Sequence, residues 1–404
     1  MSLIPHSIVN NCQACGDENL ILVHDFGQVA LAGYFPKAGE TKLPFLGMQL
    51  LFCNNCYLYQ VNPNIDDNFL FADYRYVSSI SMNEHFVNFA NWWVKTEKPN
   101  TNSKILEIGC NDGPLLHALG ELGFKPIGID PAKNIIRNSK YKEITVIEDF
   151  FNPSSIEKYK ELQELDYIFS SNSFAHISNI NEIARMVSIA LNKNGKFVLE
   201  VQSFTELVKN NAFDFIYHEH KYYFTILSLE NLFTKYGLYL VDGLMTPSHG
   251  GSYRLVFSKT KSKINSRLDK LIKEERTVDL SILGICSAIK RFESEINKTK
   301  LFLEQLSPRN RKIIAFGASG RANMILSALG QYRDYIDFVL DESPERIGRK
   351  MAQFDICIKS FSEFDPNATE YLLVLAWNYS NTIINKWKNS NTKFIIPLPK
   401  FDLI

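Results

Sequence analysis

The strongest chemical signal in the sequence is Tyr217-His218-Glu219-His220, in which a glutamate lies between two histidines. A histidine of near-neutral pKa can remove a proton, Glu219 can hold or polarise that histidine, and Tyr217 can donate to a developing oxyanion. A metal site is a second interpretation, but the spacing is not the helical H-E-x-x-H pattern and no third ligand is evident nearby. A buried polar cluster between helices is the third. The residue types favour acid–base catalysis.

A polar loop, Ser170 to His176, follows the apolar run Tyr167-Ile168-Phe169. In an open parallel sheet the ligand crevice lies at the carboxyl ends of the strands. Asn172 and His176 are therefore candidates for ligand contacts. A histidine that is simply hydrogen-bonded within its loop is the alternative for His176.

A glycine-rich segment, Thr246 to Arg254, contains His249, Gly250 and Ser252. Its exposed backbone N–H groups and the Arg254 guanidinium suit an anion such as a diphosphate. A plain hairpin turn is the competing interpretation.

Aromatic and hydroxyl side chains are concentrated between Phe69 and Ser81. This segment is too polar for a simple core strand. Tyr76 and serines such as Ser79 are predicted to face a polar ligand beside the following domain, and a packed interdomain segment is the alternative.

Two matched cysteine pairs, Cys12-x-x-Cys15 and Cys53-x-x-Cys56, lie near the amino terminus. They predict a four-cysteine zinc site in which each pair gives two thiolates to a tetrahedral ion. Its role is predicted to be structural, because four thiolates leave no open position for water or substrate. Disulfides are disfavoured in a reducing compartment, and the thioredoxin-like pattern that a redox CxxC requires is missing here.

The elements that must position these groups are organised around residues 105–130. The apolar run Ile105-Leu106-x-Ile108 predicts a buried parallel strand, and Gly109 and Gly113 permit a tight turn because glycine tolerates positive φ. A helical pattern and a second strand follow. That strand ends in Asp130, about 20 positions after the turn, where ribose hydroxyls would be held. A strand–turn–helix unit that binds no nucleotide is the alternative.

The pattern E-x-G-x-x-x-G in this turn differs from the dinucleotide fingerprint and resembles motif I of S-adenosylmethionine-dependent methyltransferases. The resemblance implies that the turn approaches the methionine part and that the acid after the second strand binds the ribose. Glu148, Asp149 and Phe150, after the third strand, could contact an adenine ring, and Asp149 is the candidate residue. The predicted cofactor contacts are Glu107, Gly109, Asn111, Asp112, Asp130, Asp149 and Asn172.

Strand and helix patterns continue to alternate along the chain. The predicted strands lie at residues 105–108, 126–129, 144–147, 167–169, 197–201, 338–341 and 372–379, and a predicted helix covers 82–97. Lys312 to Asn323 again predicts a strand, a glycine-rich turn and a helix, where phosphate oxygens could bind beside Arg321. A second cofactor site and a duplicated fold without a ligand are both open.

These patterns predict an α/β protein with a zinc-binding β-rich module at 1–70 and a Rossmann-like class I methyltransferase core at 71–260. Connecting helices at 261–308 and a second Rossmann-like α/β domain at 309–404 complete it. The 44 basic and 44 acidic residues balance, so no global field favours nucleic acid or an anionic membrane. No apolar run of about 18 residues and no signal sequence is present, which predicts a cytoplasmic protein.

Taken in order, these motifs resemble the three-domain nucleotide-sugar C-methyltransferases, such as the C-3 methyltransferases of branched deoxysugar biosynthesis. The resemblance covers essentially the whole chain. The matching motifs are the paired CxxC, Phe26-Gly27 with Ala30-Leu31-Ala32, Tyr74-x-Tyr76-x-Ser78-Ser79, E-I-G-x-N-D-G, Asn172-x-Phe174-Ala175-His176, Tyr217-His218-Glu219-His220 and His249-Gly250-Gly251-Ser252-x-Arg254.

The resemblance implies a reaction in which a C-4 ketone acidifies the C-3 proton of the sugar, a base forms the enolate, and C-3 attacks the methyl group of S-adenosylmethionine. By similarity His220 is the base, supported by Glu219 and Tyr217. Tyr76 and His176 would line the sugar and steady the enolate oxygen. The implied substrate contacts are Ser79, His249, Gly250, Ser252, Arg254 and Arg321.

Two other classes remain open from the sequence. One is an NAD-dependent oxidoreductase that uses the Gly317 turn with Asp341, and the other is a non-catalytic zinc-ribbon binding protein. The expected ligands are S-adenosylmethionine, a structural Zn²⁺ and a small-molecule nucleotide-sugar, with no nucleic acid or membrane partner. A monomer or a small homo-oligomer is expected.

Overall fold

The computed structural model describes residues 4–40, 43–72, 76–306, 313–388 and 390–404. Tyr74 and Lys312, which belong to the predicted motifs, lie outside this part of the chain. The described strands form three larger sheets and one two-stranded sheet. The predicted α/β class, with a β-rich amino-terminal module and a Rossmann-like core, is confirmed.

The amino-terminal strands form two antiparallel sheets. The strands are β1 (His6–Ser7), β2 (Leu20–Val29), β3 (Leu46–Cys53), β4 (Tyr59–Asn62) and β5 (Asn64–Ile65). In one of the sheets β1 pairs with β5. Strands β2, β3 and β4 pair in that order, and Tyr222–Tyr223 from the central region adds a fourth strand beside β4. Leu20 pairs with Cys53 and Val29 with Leu46, so Cys53 and the residues after Val29 lie at opposite ends of the β2–β3 hairpin.

Three helices connect this module to the central sheet: α1 (Asp67–Phe71), α2 (Ser78–Ser81) and α3 (Asn83–Glu97). The predicted helix at 82–97 is confirmed as α3. It buries Phe86, Phe89 and Trp93, whose spacing of three and four residues places them on one face. That face packs on the central sheet against Phe169 and its neighbours.

The central region is a doubly wound α/β unit. Its elements are β6 (Ile105–Ile108), α4 (Pro114–Glu121), β7 (Ile127–Ile129), α5 (Lys133–Arg137), β8 (Thr145–Ile147), α6 (Pro153–Lys158), β9 (Leu165–Ser171), α7 (Ile180–Ala190), β10 (Leu191–Gln202), α8 (Phe204–Lys209), β11 (Tyr222–Tyr223), α9 (Ile226–Thr234), β12 (Tyr239–Thr246) and β13 (Ser252–Ser258). Seven of these strands form one sheet in the order β12-β13-β10-β9-β6-β7-β8.

The five predicted parallel strands of this sheet are all present as β6 to β10, and β13 pairs antiparallel with β10 and β12. The strand order reverses between β6 and β9, and a crevice opens at the carboxyl ends of such strands. The segment predicted as a glycine-rich anion site is instead the turn of the β12–β13 hairpin, so the competing hairpin interpretation is correct.

Two helices, α10 (Ser266–Glu275) and α11 (Ile282–Leu306), lead to a second α/β unit. Its elements are β14 (Ile313–Phe316), α12 (Gly320–Leu329), β15 (Ile336–Asp341), β16 (Cys357–Ser360), β17 (Tyr371–Val374), α13 (Ser380–Trp387), β18 (Lys393–Ile396) and β19 (Asp402–Leu403). The sheet order is β16-β15-β14-β17-β18-β19, parallel except at β19. The strand predicted at 372–379 ends earlier, at Val374.

The amino-terminal module and the carboxyl-terminal sheet share one hydrophobic core. Met48 and Val61 of the module, Ile289 and Phe292 of α11, and Ile325 of α12 belong to the same buried cluster. The module is therefore packed on the rest of the protein rather than tethered to it. In the part of the chain that the structure describes, no helix has the length and apolarity needed to cross a membrane.

Candidate active site

A cavity of about 1320 Å³ lies where the amino-terminal module, the central sheet and the carboxyl-terminal sheet meet. Pockets for one drug-sized ligand usually measure about 300–1,000 Å³, so this cavity has room for two ligands. The predicted site residues that line it are Tyr76, Gly109, Asn111, Asp130, Asn172, His176, Tyr217, Glu219, His220, His249, Gly250 and Arg321.

The first glycine turn forms one end of the cavity. Gly109 has φ 72° and Asn111 φ 53°, and a Cβ on Gly109 would lie 2.4 Å from Cβ of Ser173. Gly113, with φ 82°, precedes Pro114, whose fixed φ suits the first turn of α4. Glycine at the first position therefore lets the turn pack closely against the loop that contains Ser173.

Asp130 fixes the conformation of this turn. Its two carboxyl oxygens accept hydrogen bonds from the backbone N–H groups of Asn111 and Ala132, both at 2.8 Å. Burial raises its pKa, and burial together with Asp130 and Asp112 raises the pKa of Glu107 well above the usual value. Among the described residues, Glu107 Oε2 is a buried atom without a hydrogen-bond partner.

Four predicted contacts of this end lie outside the described cavity wall. Glu107 belongs to β6, and Asp112 belongs to the turn and accepts the backbone N–H of Ser79 at 3.1 Å. Ser78 lines the wall in place of Ser79, and its N–H donates to Asn111 Oδ1. Glu107, Asp112 and Ser79 were predicted to contact the ligands, but they are not among the residues that line the described cavity wall.

Asp149 is the fourth such residue, and it does not face the predicted adenine region. Its Oδ2 lies 3.3 Å from the Tyr159 hydroxyl and 3.4 Å from Lys158 Nζ, in a surface cluster. The adjacent Phe150 lines the cavity, edge-on to Phe71. Of the predicted segment 148–150, Phe150 therefore lines the cavity and Asp149 does not, because consecutive side chains leave the backbone in different directions.

His220 is held in one neutral tautomer by two hydrogen bonds. Its Nδ1 lies 3.1 Å from the Phe215 carbonyl oxygen, which can only accept, so Nδ1 carries the proton. Nε2 therefore presents its lone pair, and the Tyr217 hydroxyl donates to it at 2.7 Å. Burial lowers the pKa of His220 well below the usual value, so the ring stays neutral at pH 7.

His176 stands beside His220 at the same end of the cavity. The two rings meet edge to face with centroids 4.7 Å apart. Burial lowers the pKa of His176 to about 4, while the backbone of Glu219 acts in the opposite direction. A neutral imidazole at this position offers a hydrogen bond to a ligand without adding charge.

Glu219 is placed differently from the prediction that it holds His220. Its Oε1 accepts the backbone N–H of Gly33, in the amino-terminal module, at 2.5 Å. Burial raises its pKa to about 7. Among the described contacts of His220, the partners that orient the ring are Tyr217 and the Phe215 carbonyl.

Arg254 and Ser252 are corrected as predicted anion-binding residues, because both are buried in β13. The Arg254 guanidinium forms an ion pair with Glu200, Nη2 to Oε2 at 2.6 Å, and stacks 3.8 Å from the centroid of Phe89. The Ser252 hydroxyl donates to the Ser248 carbonyl at 3.0 Å. Neither lines the described cavity, whereas His249 and Gly250 of the turn do.

Glu200 was not predicted from the sequence, yet it organises several groups beside the cavity. It accepts hydrogen bonds from His85 Nε2 at 2.6 Å and from Asn172 Nδ2 at 2.8 Å. Burial opposes its ionisation, but His85 and Arg254 outweigh that effect and lower the pKa to about 2. The available signal was an acidic residue inside the apolar run of β10.

Arg321, from the carboxyl-terminal α/β unit, also lines the cavity. It is ion-paired with buried Asp214 at 2.8 Å and stacked 3.7 Å from the centroid of Phe215, and its Nη1 donates to Asn378. Two further arginines that were not predicted, Arg346 and Arg349, line the cavity as well. All three arginines of the described cavity wall therefore come from this unit.

The second glycine turn repeats the device of the first. Asp341, at the end of β15, accepts the backbone N–H groups of Ala318 and Ser343, both at 2.7 Å. Gly317 has φ 97°, and a Cβ there would lie 2.5 Å from Cβ of Ala376. In both α/β units an aspartate after the second strand thus fixes the glycine turn.

The four cysteines of the amino-terminal module lie together, as predicted. Their Sγ atoms are all within 4.8 Å of one another, with Cys12 to Cys56 at 3.4 Å and Cys15 to Cys53 at 3.5 Å. These distances exceed a disulfide bond of about 2.05 Å. They approach the separation of about 3.8 Å between sulfurs that each lie about 2.3 Å from a tetrahedral zinc ion. The donor set fits such an ion.

Most of the chain is similar to known methyltransferases. Residues 74–242 match the model of a methyltransferase domain, and residues 247–399 match the model of the C-methyltransferase C-terminal domain. The C-methyltransferase NovU of Streptomyces niveus is 28% identical over 411 residues, covering 97% of this chain and 96% of that protein.

Two more distant similarities cover parts of the chain. The ubiquinone biosynthesis O-methyltransferase of Pelagibacter ubique (strain HTCC1062) is 26% identical over 126 residues, 31% of this chain and 52% of that protein. Magnesium protoporphyrin IX methyltransferase from Synechocystis PCC 6803, solved with bound SAM, is 11% identical, with a TM-score of 0.35 over 45% of this chain and 81% of that chain. The latter likeness is weak.

Proposed function

Since the chain is an S-adenosylmethionine-dependent methyltransferase, homologous to a C-methyltransferase over 97% of its length, we propose that it methylates a carbon of a nucleotide-linked 4-keto-6-deoxysugar. The proposed position is C-3, and the proposed setting is branched deoxysugar biosynthesis. The motifs of the whole chain support this choice, because they follow the order of the family that they resemble. The matches to a methyltransferase domain and to a C-methyltransferase C-terminal domain disfavour the oxidoreductase and the non-catalytic zinc-ribbon alternatives.

One observation carries the proposal: a shared cavity joins the Gly109–Asn111 turn to the Tyr217–His220 pair. A methyl donor and an acceptor must meet in line, and holding both in one enclosed site supplies much of the rate enhancement. The cavity volume of about 1320 Å³ suits two ligands. Three arginines, Arg321, Arg346 and Arg349, line its wall, and although Asp214 offsets the charge of Arg321, the set suits the diphosphate of a nucleotide-sugar.

S-adenosylmethionine supplies, when bound, a methyl group on a positively charged sulfur that leaves as a neutral thioether. The residues that would hold it are those around the first turn: Gly109, Asn111 and Asp130. Phe150 would contact its adenine ring. Buried polar atoms without partners among the described residues, Ser171 Oγ and Asn172 Oδ1, are available to a ligand at this end. The site therefore fits the group.

His220 is the proposed base. Its Nε2 lone pair takes the C-3 proton, the C–H bonding electrons form the enolate, and the electrons then form the new carbon–carbon bond. When the sugar is bound, the Tyr217 hydroxyl leaves Nε2 and donates to the enolate oxygen, where a preorganised donor stabilises developing charge. Tyr76 and His176 would line the sugar. Glu219, which contacts Gly33, does not act on the base directly.

We also propose that the four-cysteine cluster holds zinc in a structural role, and that residues 309–404 help to bind the nucleotide. The cysteine cluster is separated from the catalytic groups by the length of the β2–β3 hairpin. A closed set of four thiolates has no position for substrate. The proposed division of the chain is 1–70, 71–260, 261–308 and 309–404, and the proposed state is a monomer or small homo-oligomer.

The proposed function is tested by incubating the purified protein with S-adenosylmethionine labelled in its methyl group and a panel of nucleotide-linked 4-keto-6-deoxysugars. We expect label to appear on one sugar, at C-3. A matched panel with the 4-keto group reduced to an alcohol serves as the control, since it lacks the acidified proton. Absence of label on every keto sugar would contradict the proposed substrate class.

The pH dependence of kcat/KM distinguishes His220 from Glu219 as the base, because kcat/KM follows the ionisation of the enzyme without bound sugar. Burial lowers the pKa of His220 well below 6.5, whereas burial raises that of Glu219 to about 7. We expect kcat/KM for the sugar to stay constant as the pH falls through 7, since a base of pKa 7 would lose about tenfold for each pH unit below 7. The measurement is a pH–rate profile at sugar concentrations below KM.

A control for unfolding accompanies this profile. The neutral, buried His220 and His176 have lowered pKa values, so the unfolded state binds more protons as the pH falls below about 6.5 and stability decreases. Circular dichroism at each pH identifies where unfolding begins. A decline of kcat/KM centred at pH 7 in folded protein would contradict the assignment to His220.

A further inference from the structure

Residues Ala30–Pro36, here called the strap, run from the β2–β3 hairpin across the carboxyl-terminal α/β unit. Backbone groups of the strap are hydrogen-bonded to side chains of that unit. The pairs are Ala30 N–H with Ser327 Oγ (3.1 Å), Ala32 O with Asn323 Nδ2 (2.7 Å) and Phe35 O with Arg349 Nη1 (3.1 Å). The strap also forms part of the cavity wall. It is therefore a fixed element of the site.

The middle of the strap contacts residues 217–220, here called the catalytic loop. Gly33 N–H donates to Glu219 Oε1, and a Cβ on Gly33 would lie only 2.4 Å from that oxygen. On the other side, Gly320 of α12 approaches so closely that a Cβ there would lie 3.2 Å from Cβ of Ala32. Glycines at positions 33 and 320 let the strap fit between the Glu219 side chain and α12.

Glu219 is connected to both histidines of the site. His220 is the next residue in the chain, and its ring meets that of His176 with centroids 4.7 Å apart. The backbone N–H of Lys221, the residue after His220, donates to the carbonyl of Ala175, the residue before His176, at 2.9 Å. Anchoring the Glu219 side chain therefore limits the movement of both rings.

We propose that Glu219 is a positioning residue that anchors the two active-site histidines to the strap through Gly33, so that the amino-terminal module sets the geometry of the catalytic loop. The kinetic part of this inference rests on the proposed function. The structural part does not, because the hydrogen bond is measurable without any substrate.

The first test compares Glu219→Ala with Glu219→Gln. The alanine variant removes the acceptor for Gly33 N–H, and we expect kcat to fall about 10²-fold, the cost of roughly 1 Å of misplacement, with S-adenosylmethionine affinity unchanged. The glutamine variant keeps an amide oxygen that accepts the same hydrogen bond, so most of kcat should return. If Glu219→Gln is as inactive as Glu219→Ala, the carboxylate acts in the chemistry and the positioning role is overturned.

The second test needs no turnover. Hydrogen–deuterium exchange is measured on peptides covering the strap and residues 174–177 in the full-length protein. We expect faster exchange in both regions for Glu219→Ala and wild-type exchange for Glu219→Gln. Exchange that is unchanged in Glu219→Ala would overturn the inference, whether or not the sugar substrate has been identified.

Gly33→Ala is a second variant that leaves Glu219 itself intact. Its Cβ must displace the flexible end of the Glu219 side chain, so it should reproduce the faster exchange and the lower kcat of Glu219→Ala. Gly120→Ala, at an exposed helical position with no atom within 4 Å of the added Cβ, is the matched control. Wild-type exchange and kcat in Gly33→Ala would contradict the proposal.

Discussion

Alanine in place of His220 is expected to lower kcat by about 10²–10⁴-fold, the usual contribution of a general base. Nε2 is the only atom of the ring with a free lone pair, since Nδ1 donates to the Phe215 carbonyl. Removing the ring removes the proton acceptor and also the partner of the Tyr217 hydroxyl. S-adenosylmethionine affinity should be unchanged, because the first glycine turn is untouched. Steady-state kinetics and calorimetric titration measure the two quantities.

Two comparisons make this result specific. Alanine in place of His117, a half-exposed histidine paired with Glu143 outside the described cavity wall, should keep wild-type kcat. Phenylalanine in place of Tyr217 should lower kcat less than loss of His220, since the donor to the enolate oxygen is lost but the base remains. A wild-type rate in folded His220→Ala would refute the assignment of the base. A larger loss in Tyr217→Phe would move that role to the tyrosine.

Serine in place of Cys53 is expected to abolish stoichiometric zinc binding and to unfold the amino-terminal module. Structural zinc contributes about 10–16 kcal/mol to the folding of small zinc domains, whereas a whole protein is stable by only about 5–15 kcal/mol. Because the β2–β3 hairpin also carries the strap, we expect turnover to be lost with the metal. Metal analysis, thermal unfolding and the labelled methyl assay measure the three effects.

Serine in place of Cys357 is the matched control, because this cysteine is exposed and lies outside the described cluster. It should keep zinc, melting temperature and activity. Wild-type protein should contain about one zinc per chain, with sulfur ligands. Native protein that is free of metal after expression in zinc-supplemented medium, yet folded and active, would rule out the structural role.

The local signals predicted most of the central fold. The strand from Ile105 to Ile108 and the turn at Gly109 were predictable, because a short apolar run followed by glycines has few other solutions. The helix at Asn83–Glu97 was predictable from its apolar face. Boundaries were less accurate, as at β17, where the predicted strand extended beyond Val374 into a helical turn.

The errors arose where a residue's partner is distant in sequence. Arg254 has the residue type and spacing of an anion site, but its partner is Glu200, which the pairing of β10 with β13 brings opposite. Glu219 contacts Gly33, 186 positions earlier in the chain. Neither pairing leaves a trace in the local pattern. Sequence reasoning thus identified many residues of the site. It did not show which of them are hydrogen-bonded or ion-paired to other protein groups rather than available to a ligand.

The strap has a consequence for protein engineering. Its backbone groups are hydrogen-bonded to the side chains of Ser327, Asn323 and Arg349. The amino-terminal module and the carboxyl-terminal unit of one chain are therefore complementary at this contact. A chimera that joined the front part of one relative to the rear part of another would need these three side chains transplanted together with residues 30–36. Chimeras that exchange only whole domains, without these three side chains, should bind the methyl donor but have a low kcat.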